Sequence, residues 1–203
     1  MMKKVYVDHA ATTKMKKEVL ESMMPYLDEK YGNPSSAYIL GSDSKSAIEK
    51  ARIQVAKAIG AEMPEEIYFT SGGSEADNLA IKGIAKARKN RGKHIITSKI
   101  EHMAILNSCK QLEKEGFEIT YLDVDSSGVV KLYELEKAIR EDTILISIMF
   151  ANNEIGTIEP INEIGKIAKK NHILFHVDAV QAIRKFKNRC KSIKYRFTFF
   201  IGT

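Results

Sequence analysis

Short apolar runs alternate with longer segments of helical periodicity along most of this sequence, and the alternation is the feature that most constrains the fold. Between residues 94 and 177 the predicted strands are residues 94–98, 117–122, 143–150 and 172–177. The predicted helices between them are residues 102–115, 132–140 and 161–170. Repeated β-α units favour a mostly parallel sheet with helices on both faces. The sequence therefore predicts an α/β fold.

The first 90 residues continue the same pattern less regularly. Helices are predicted at residues 15–27, 44–59 and 75–87, a strand at residues 66–70, and a brief strand or extended segment at residues 5–8. Gly60 is a plausible C-terminal stop for the second helix. A glycine loop, Ser71-Gly72-Gly73-Ser74, joins the predicted strand 66–70 to the following helix. Such a loop offers backbone N–H groups and the positive end of a helix dipole to a phosphate, although a plain helix-capping turn would look the same.

Composition points to an ordinary globular domain. The chain has 203 residues, 44% hydrophobic and 29% charged, which is enough for one large domain with a hydrophobic core. There is no apolar run long enough to cross a bilayer and no secretory leader, so we expect a cytoplasmic protein that does not engage a membrane. The two cysteines, Cys109 and Cys190, are far apart and have no metal-ligand spacing. We therefore expect neither a metal site nor a disulfide framework.

The net charge of +6 is concentrated at the end of the chain. Residues 182–203 hold seven basic residues and no acidic one, so residues 1–181 carry 25 basic against 26 acidic residues. The body is thus close to neutral, and we expect no specific nucleic-acid binding from it. The tail also holds five of the sixteen aromatic residues, with no clear helical or strand period.

Polar side chains of the kind that bind ligands follow three of the predicted strands. They are His102 after strand 94–98, Asn152 and Asn153 after strand 143–150, and Asp178 with Gln181 at the end of strand 172–177. Each type has a structural alternative: a surface or capping histidine, turn geometry for the asparagines, and a strand-end cap for the aspartate. Taken singly, none of these residues identifies a site.

Taken together, the loops predict a binding crevice. The carboxyl ends of parallel strands lie on one edge of a sheet, so these three loops can converge there with Gly73 and Ser74. A phosphate site, an imidazole, amides and a buried carboxylate would suit a phosphorylated pyridine. The carboxylate would keep the pyridine nitrogen protonated, which makes that ring an electron sink.

Six motifs in chain order resemble those of the cysteine desulfurases, pyridoxal-phosphate enzymes of the class V aminotransferase group. The motifs are DHAATT at 8–13, GNPSS at 32–36, FTSGGSEADN at 69–78, SKIEH at 98–102, NNEIG at 152–156 and HVDAVQ at 176–181. The resemblance runs in register from about residue 5 to residue 182. It implies the large domain of a fold-type I pyridoxal-phosphate transferase, truncated, in residues 1–182, and a divergent basic and aromatic tail in residues 183–203.

The resemblance also implies roles for seven residues. The implied cofactor-binding residues are Gly73 and Ser74 at the phosphate, His102 on the pyridine ring, Asn153 and Gln181 near the ring hydroxyl, and Asp178 at the ring nitrogen. His102 is also the implied catalytic residue, and Asn33 with Asn153 would border the substrate. In such enzymes L-cysteine is converted to L-alanine while a mobile cysteine takes the sulfur as a persulfide. Sulfur acceptors or scaffold proteins, serving iron-sulfur clusters or tRNA thiolation, and a homodimer are expected by the same resemblance.

The family pattern is lost after Gln181. A Gly-Lys pair and a Ser-x-His-Lys motif with the lysine that binds the cofactor covalently are expected there, but none of the five histidines of this sequence precedes a lysine. Neither Cys109 nor Cys190 matches the persulfide cysteine. Out-of-frame translation from about Ile183 would explain the tail, and an evolved basic tail for nucleic acid or a membrane surface would have a similar composition.

Two functions of different class follow. The first is a cysteine desulfurase-like protein that is inactive as encoded and binds pyridoxal 5′-phosphate non-covalently at most. The second is a non-catalytic binding fragment that pairs with an intact relative or an acidic partner. A truncated sheet would expose a strand edge, which is a site of aggregation.

Overall fold

The computed structural model describes residues 5–182 and the backbone of residues 197–200. The chain divides into two compact units, Met1–Phe69 and Thr70–Thr203. The second unit contains the sheet and six of the seven residues to which the resemblance assigns roles. No helix in the described part of the chain is long and apolar enough to span a bilayer.

The first unit is helical. It contains α1 (Lys17–Leu27), α2 (Ile39–Ile59) and a short 3₁₀ helix, Pro64–Glu66. The predicted stop at Gly60 is confirmed: this residue has a φ of 80°, and its N–H donates to Ala56 O over 2.9 Å. A left-handed C-terminal residue of this kind favours glycine because it has no Cβ.

Residues 66–70 do not form the predicted strand, and residues 5–8 take the unpaired alternative of their prediction. Residues 5–8 and 67–70 have no strand pairing, and residue 66 belongs to the 3₁₀ helix. Ile67 is nonetheless extended, with φ −92° and ψ 123°. A strand needs a neighbour to pair with its backbone groups, and the described residues supply none for this segment. The prediction of strand 66–70 was therefore wrong, although its extended conformation was correct.

The second unit is a parallel sheet with four described helices. The helices are α3 (Gly73–Arg88), α4 (Met103–Lys114), α5 (Leu132–Ala138) and α6 (Ile161–Lys170). The strands are β1 (His94–Ser98), β2 (Glu118–Leu122), β3 (Thr143–Ser147), β4 (Leu174–Asp178) and β5 (Phe197–Phe200). The strand order is β2-β1-β3-β4-β5, and every pairing is parallel. The predicted α/β fold is confirmed.

Helices cover both faces of the sheet. Ile96 and Ile146 pack in one apolar cluster with residues of α5 and α6, such as Leu135 and Ile164. Their strand neighbours Ile95 and Leu145 point the other way, into a second cluster with residues of α3 and α4. Burial on both faces explains why the strands read as continuous apolar runs rather than alternating ones.

Within the predicted tail, residues 183–203, the structure describes one element. Residues 183–196 and 201–203 lie outside the described part of the chain, and so does Cys190. Phe197–Phe200 forms β5 and pairs with β4 from Phe175 to Asp178. The tail sequence has no clear strand period, yet aromatic residues favour strands and the edge of β4 pairs with one. Since β5 pairs with β4, the strand at this edge of the sheet is β5.

Two glycines of the second unit provide a matched test of the packing. A Cβ on Gly92 would lie 2.1 Å from the backbone O of Asp142, where the chain enters β3, whereas a Cβ on Gly83 in α3 would meet nothing within 4 Å. We expect Gly92→Ala to lower the free energy of unfolding by roughly 1–3 kcal/mol. Gly83→Ala should raise it by about 1 kcal/mol, because alanine favours the helix. Urea unfolding of the two variants measures the change in the free energy of unfolding. An unchanged value for Gly92→Ala would show that Gly92 does not pack against the backbone O of Asp142.

Candidate functional site

The carboxyl group at the end of β4 lies inside the protein. Asp178 is only 7% exposed, its Oδ1 accepts the Val180 N–H over 3.0 Å, and its backbone O accepts the Phe150 N–H over 2.8 Å. Burial raises the pKa of this carboxyl, and the Val180 N–H and His102 oppose the shift. The strand-end cap considered from the sequence is therefore present. Among the described residues Oδ2 accepts no hydrogen bond, which leaves one carboxyl oxygen for a ligand.

The imidazole of His102 is near this carboxyl group. His102 is the N-cap of α4, and its Nδ1 accepts the Ala104 N–H over 3.2 Å. The capping alternative is thus realised as well. The ring itself is exposed, and it interacts electrostatically with Asp178. A capped ring has a fixed orientation, so one face of it remains available to a planar ligand.

The loop after β3 lies beside the same strand end. The pairing of β3 with β4 extends into this loop, where the Ile148 N–H donates to His176 O over 3.2 Å. Buried Asn152 closes the turn, since its Oδ1 accepts the N–H groups of Glu154 and Ile155 over 2.8 and 3.0 Å. Asn153 is half-buried, and its amide contacts the side chain of Glu154 at 3.2 Å. Turn geometry belongs to Asn152, and Asn153 is the member of the pair with a partly accessible amide.

The glycine loop leads directly into α3. Gly73 and Ser74 are the first residues of this helix, and their N–H groups donate to no described acceptor. This is expected, since the first N–H groups of a helix have no partner within it. Glu75 closes the turn from outside, because its Oε2 accepts both the N–H and the O–H of Ser71 over 2.6 Å. The loop is therefore both a helix-capping turn and a set of free donors.

The remaining two predicted residues differ in position. Gln181 is half-buried in the turn after β4, where the Ala182 N–H donates to Ala179 O over 2.8 Å. Asn33 belongs to the first unit, and its Oδ1 accepts the Ser35 N–H over 2.9 Å. The parallel sheet places His102, Asn153, Asp178 and Gln181 in the segments that follow the carboxyl ends of β1, β3 and β4. Their roles toward a ligand stay predictions.

A second buried acid lies close to Asp178 and was missed from the sequence. Asp77 in α3 is 1% exposed, and its Oδ1 is 3.7 Å from the Nε2 of His176. Burial, followed by repulsion from Asp178, raises the pKa of Asp77 to about 7. Burial also lowers the pKa of His176 to about 3, so the two side chains do not form an ion pair at neutral pH. Nothing in the local pattern distinguishes Asp77 from the exposed acids on other helices.

A third buried acid directly precedes His102. Glu101 is 5% exposed, and its Oε1 accepts the Ser98 O–H over 2.6 Å and the Met149 N–H over 3.0 Å. Burial raises the pKa of Glu101 to about 8, and Asp178 and Glu159 add to the shift. Its position between Ile100 and His102 was a possible signal, since a carboxyl in a strand-end loop can face inward.

Other reactive groups are not part of this edge. The Cys109 thiol is buried in α4, and burial raises its pKa to about 12. Such a thiol is not a nucleophile at neutral pH. Within residues 5–182 no cluster of His, Cys, Asp and Glu could hold a metal ion.

Comparison with known proteins agrees with the fold. The sequence profile of the family described as "Aminotransferase class-V" matches residues 5–202. "Cysteine desulfurase IscS" of Methanosarcina thermophila is 64% identical over 181 residues, which are 89% of this chain and 45% of that protein. "Putative cysteine desulfurase IscS 1" of Bacillus subtilis is 53% identical over 181 residues, 89% of this chain and 48% of that protein.

Two solved structures are similar to the chain as well. The structure titled "NIFS-LIKE PROTEIN" superposes with a TM-score of 0.85 at 49% identity, covering 88% of this chain and 49% of the other. "SspA in complex with cysteine" gives a TM-score of 0.84 at 47% identity, covering 87% and 51%. The chain thus spans about half the length of the relatives it matches.

The raised pKa of Asp77 predicts a pH-dependent gain in stability from Asp77→Asn. The folded state holds the proton on Asp77 more tightly than an unfolded aspartate with a pKa of 3.8. The stability that protonated Asp77 contributes is therefore greatest below about pH 4 and is lost as pH rises to about 7. We expect the stability of Asp77→Asn relative to the unmodified chain to increase over this window, by on the order of 2 kcal/mol. Unfolding in urea at pH 4 and pH 7.5 measures the difference.

Asp142→Asn is the control. Arg140 lowers the pKa of the Asp142 carboxyl below 3.8, so the stability that Asp142 contributes is lost only as pH falls below about 4, and Asp142→Asn should show no gain in relative stability between pH 4 and pH 7.5. If Asp77→Asn showed no gain between pH 4 and pH 7.5, Asp77 would be ionised in the folded protein.

Proposed function

This chain belongs to the class-V aminotransferase family and is cysteine desulfurase-like, and from that premise we propose that its strand-end loops bind pyridoxal 5′-phosphate. The observation that carries the proposal is Asp178, a buried carboxyl at the end of a parallel strand, with one oxygen that accepts no hydrogen bond from the described residues and with His102 beside it. A buried acid is costly for stability, and a cationic ring nitrogen would offset that cost.

The described residues fit the cofactor group by group. The N–H groups of Gly73 and Ser74 have no acceptor within residues 5–182 and lie at the positive end of α3, which suits a phosphate. Asp178 would hold a proton on the pyridine nitrogen, and the ring of His102 would pack on the face of the pyridine. Asn153 and Gln181 would hydrogen-bond the ring hydroxyl. When bound, the cofactor supplies an electron sink for a carbon next to the substrate amine.

The proposed substrate of the family to which the chain belongs is L-cysteine, with Asn153 on the substrate side. The support is the identity to relatives called cysteine desulfurases and to a protein solved in complex with cysteine. A catalytic role for His102 would be to hold or move a proton near the reacting atoms. Sulfur acceptors or scaffold proteins would take the sulfur for iron-sulfur clusters or tRNA thiolation.

We propose further that the 203 residues as they stand do not desulfurate cysteine. No histidine in the sequence is followed by lysine, so the motif expected to carry the covalent lysine is missing from it. Buried Cys109 has a raised pKa and is no substitute for a mobile persulfide cysteine. Cofactor binding would then be non-covalent and reversible.

Cofactor binding is tested with two aspartate variants. Asp178→Asn should weaken binding of pyridoxal 5′-phosphate about tenfold or more, because the amide cannot pair with a protonated ring nitrogen. Asp123→Asn is the matched control, since Asp123 is exposed and pairs only with Lys99 at 2.6 Å. Absorbance titration followed by dialysis measures both affinity and reversibility.

Two results would contradict the proposal. Equal affinities for Asp178→Asn and Asp123→Asn would place the cofactor elsewhere. Cofactor fixed to the chain by borohydride, or alanine formed from L-cysteine, would show that a lysine of this chain does bind the cofactor covalently.

A second candidate function is pairing with an intact relative. The observation that favours it is α1, which buries none of its residues and carries exposed Val19, Met23 and Tyr26 beside one another. Exposed apolar faces of this kind mark interaction surfaces. Light scattering of the chain alone, of a full-length relative alone and of their mixture tests it. If each protein keeps in the mixture the mass that it has alone, and this chain has the mass of one chain, pairing is excluded.

A further inference from the structure

The buried carboxyl of Glu101 joins two loops of the candidate site. One oxygen, Oε1, accepts both the Ser98 O–H at the end of β1 and the Met149 N–H just after β3. Met149 lies 48 positions further along the chain than Glu101, so the contact is tertiary rather than local. The acid next to His102 thus anchors the His102 loop to the start of the loop that carries Asn153.

A second tie runs between the same two loops. The Asn152 side chain donates from Nδ2 to the backbone O of Ile100 over 2.9 Å. Its Oδ1 meanwhile holds the turn that follows, through the N–H groups of Glu154 and Ile155. Ile100 and Glu101 directly precede His102, and Asn152 directly precedes Asn153. The two loops are therefore joined by two side-chain hydrogen bonds, one from each loop.

The protonation of Glu101 matters for its neighbours. Its carboxyl is influenced by Asp178 of β4 and by Glu159 ahead of α6, and it in turn affects the Cys109 thiol of α4. All of these groups are acids, and no described cation lies among the causes of its raised pKa. A neutral Glu101 avoids a second buried anion beside Asp178. Its Oε2 has no hydrogen-bond partner among the described residues.

We propose that Glu101 is a positioning residue, which holds the His102 ring and the Asn153 loop in the arrangement that receives the pyridine ring. The inference deepens the proposed function and rests on it. Glu101 need not touch the cofactor; it acts through His102 and through the loop after β3. Its two hydrogen bonds need only a neutral acceptor, so an amide of the same shape should serve in its place.

The test compares three variants for binding of pyridoxal 5′-phosphate and for the induced circular dichroism of the bound cofactor. Glu101→Gln keeps an acceptor oxygen and should match the unmodified chain within about threefold in affinity. Glu101→Met removes the acceptor, leaves the Met149 N–H unpaired, and should weaken binding about tenfold. It should also lose at least about half of the dichroism per bound cofactor, because the ring is no longer held in one orientation.

Glu159→Met is the matched control. Glu159 is another buried carboxyl, 4% exposed, at the end of the loop after β3, but its Oε2 accepts the Val130 N–H over 3.0 Å and so does not join that loop to the His102 loop. It should lower stability as Glu101→Met does but leave the dichroism per bound cofactor unchanged. If Glu101→Met does not fold, Ser98→Ala removes one of the two hydrogen bonds with little change in volume. It should reduce both the affinity for the cofactor and the dichroism per bound cofactor.

The outcomes separate the two proposals. Unmodified chain that binds no pyridoxal 5′-phosphate would overturn the proposed function and this inference with it. Binding by the unmodified chain, with the same dichroism per bound cofactor in Glu101→Met or Ser98→Ala, would overturn the positioning role alone. Failure of Glu101→Gln to retain the signal would also contradict it, since the geometry requires only a neutral acceptor.

Discussion

The parallel pairing of β3 with β4 is the constraint on which the rest of the candidate site depends. It continues beyond the regular strands, through the Ile148 N–H to His176 O and the Phe150 N–H to Asp178 O. This extension places the loop of Asn152 and Asn153 beside Asp178. The pairing of β1 with β3 then brings the His102 loop to the same edge. Backbone hydrogen bonds thus set the separation of the polar side chains before any ligand is present.

Three buried carboxyl groups at this edge, those of Asp77, Glu101 and Asp178, have raised pKa values, and Asp178 interacts electrostatically with the other two. Asp77 and Glu101 each have their pKa raised by the charge of Asp178, and burial is the larger cause for both. Burial raises the pKa of Asp178 as well. Burying acids lowers stability, and a group of carboxyls with perturbed pKa values is typical of functional sites.

The sequence predicted the architecture well because the strands are buried on both faces and the helices are amphipathic. The bounds of β1 and α6 agree with the predicted residues 94–98 and 161–170, since local periodicity and end signals coincide there. Residues 66–70 were read as a strand because their composition is right, but a strand also needs a partner. Asp77 and Glu101 could not be found in the same way, because their burial is created by elements distant in sequence. The single-residue alternatives were also correct: His102 caps α4, Asn152 closes a turn, and Asp178 caps its strand end.

The central claim is that this sheet edge is a pocket for pyridoxal 5′-phosphate in a chain that cannot hold it covalently. A crystal structure of the 203-residue chain grown with the cofactor tests that claim most directly. The account predicts the ring nitrogen within hydrogen-bond distance of Asp178, the His102 imidazole stacked on the ring, and the phosphate at Gly73 and Ser74. Cofactor bound away from Asp178, or bonded to any lysine of the chain, would contradict it.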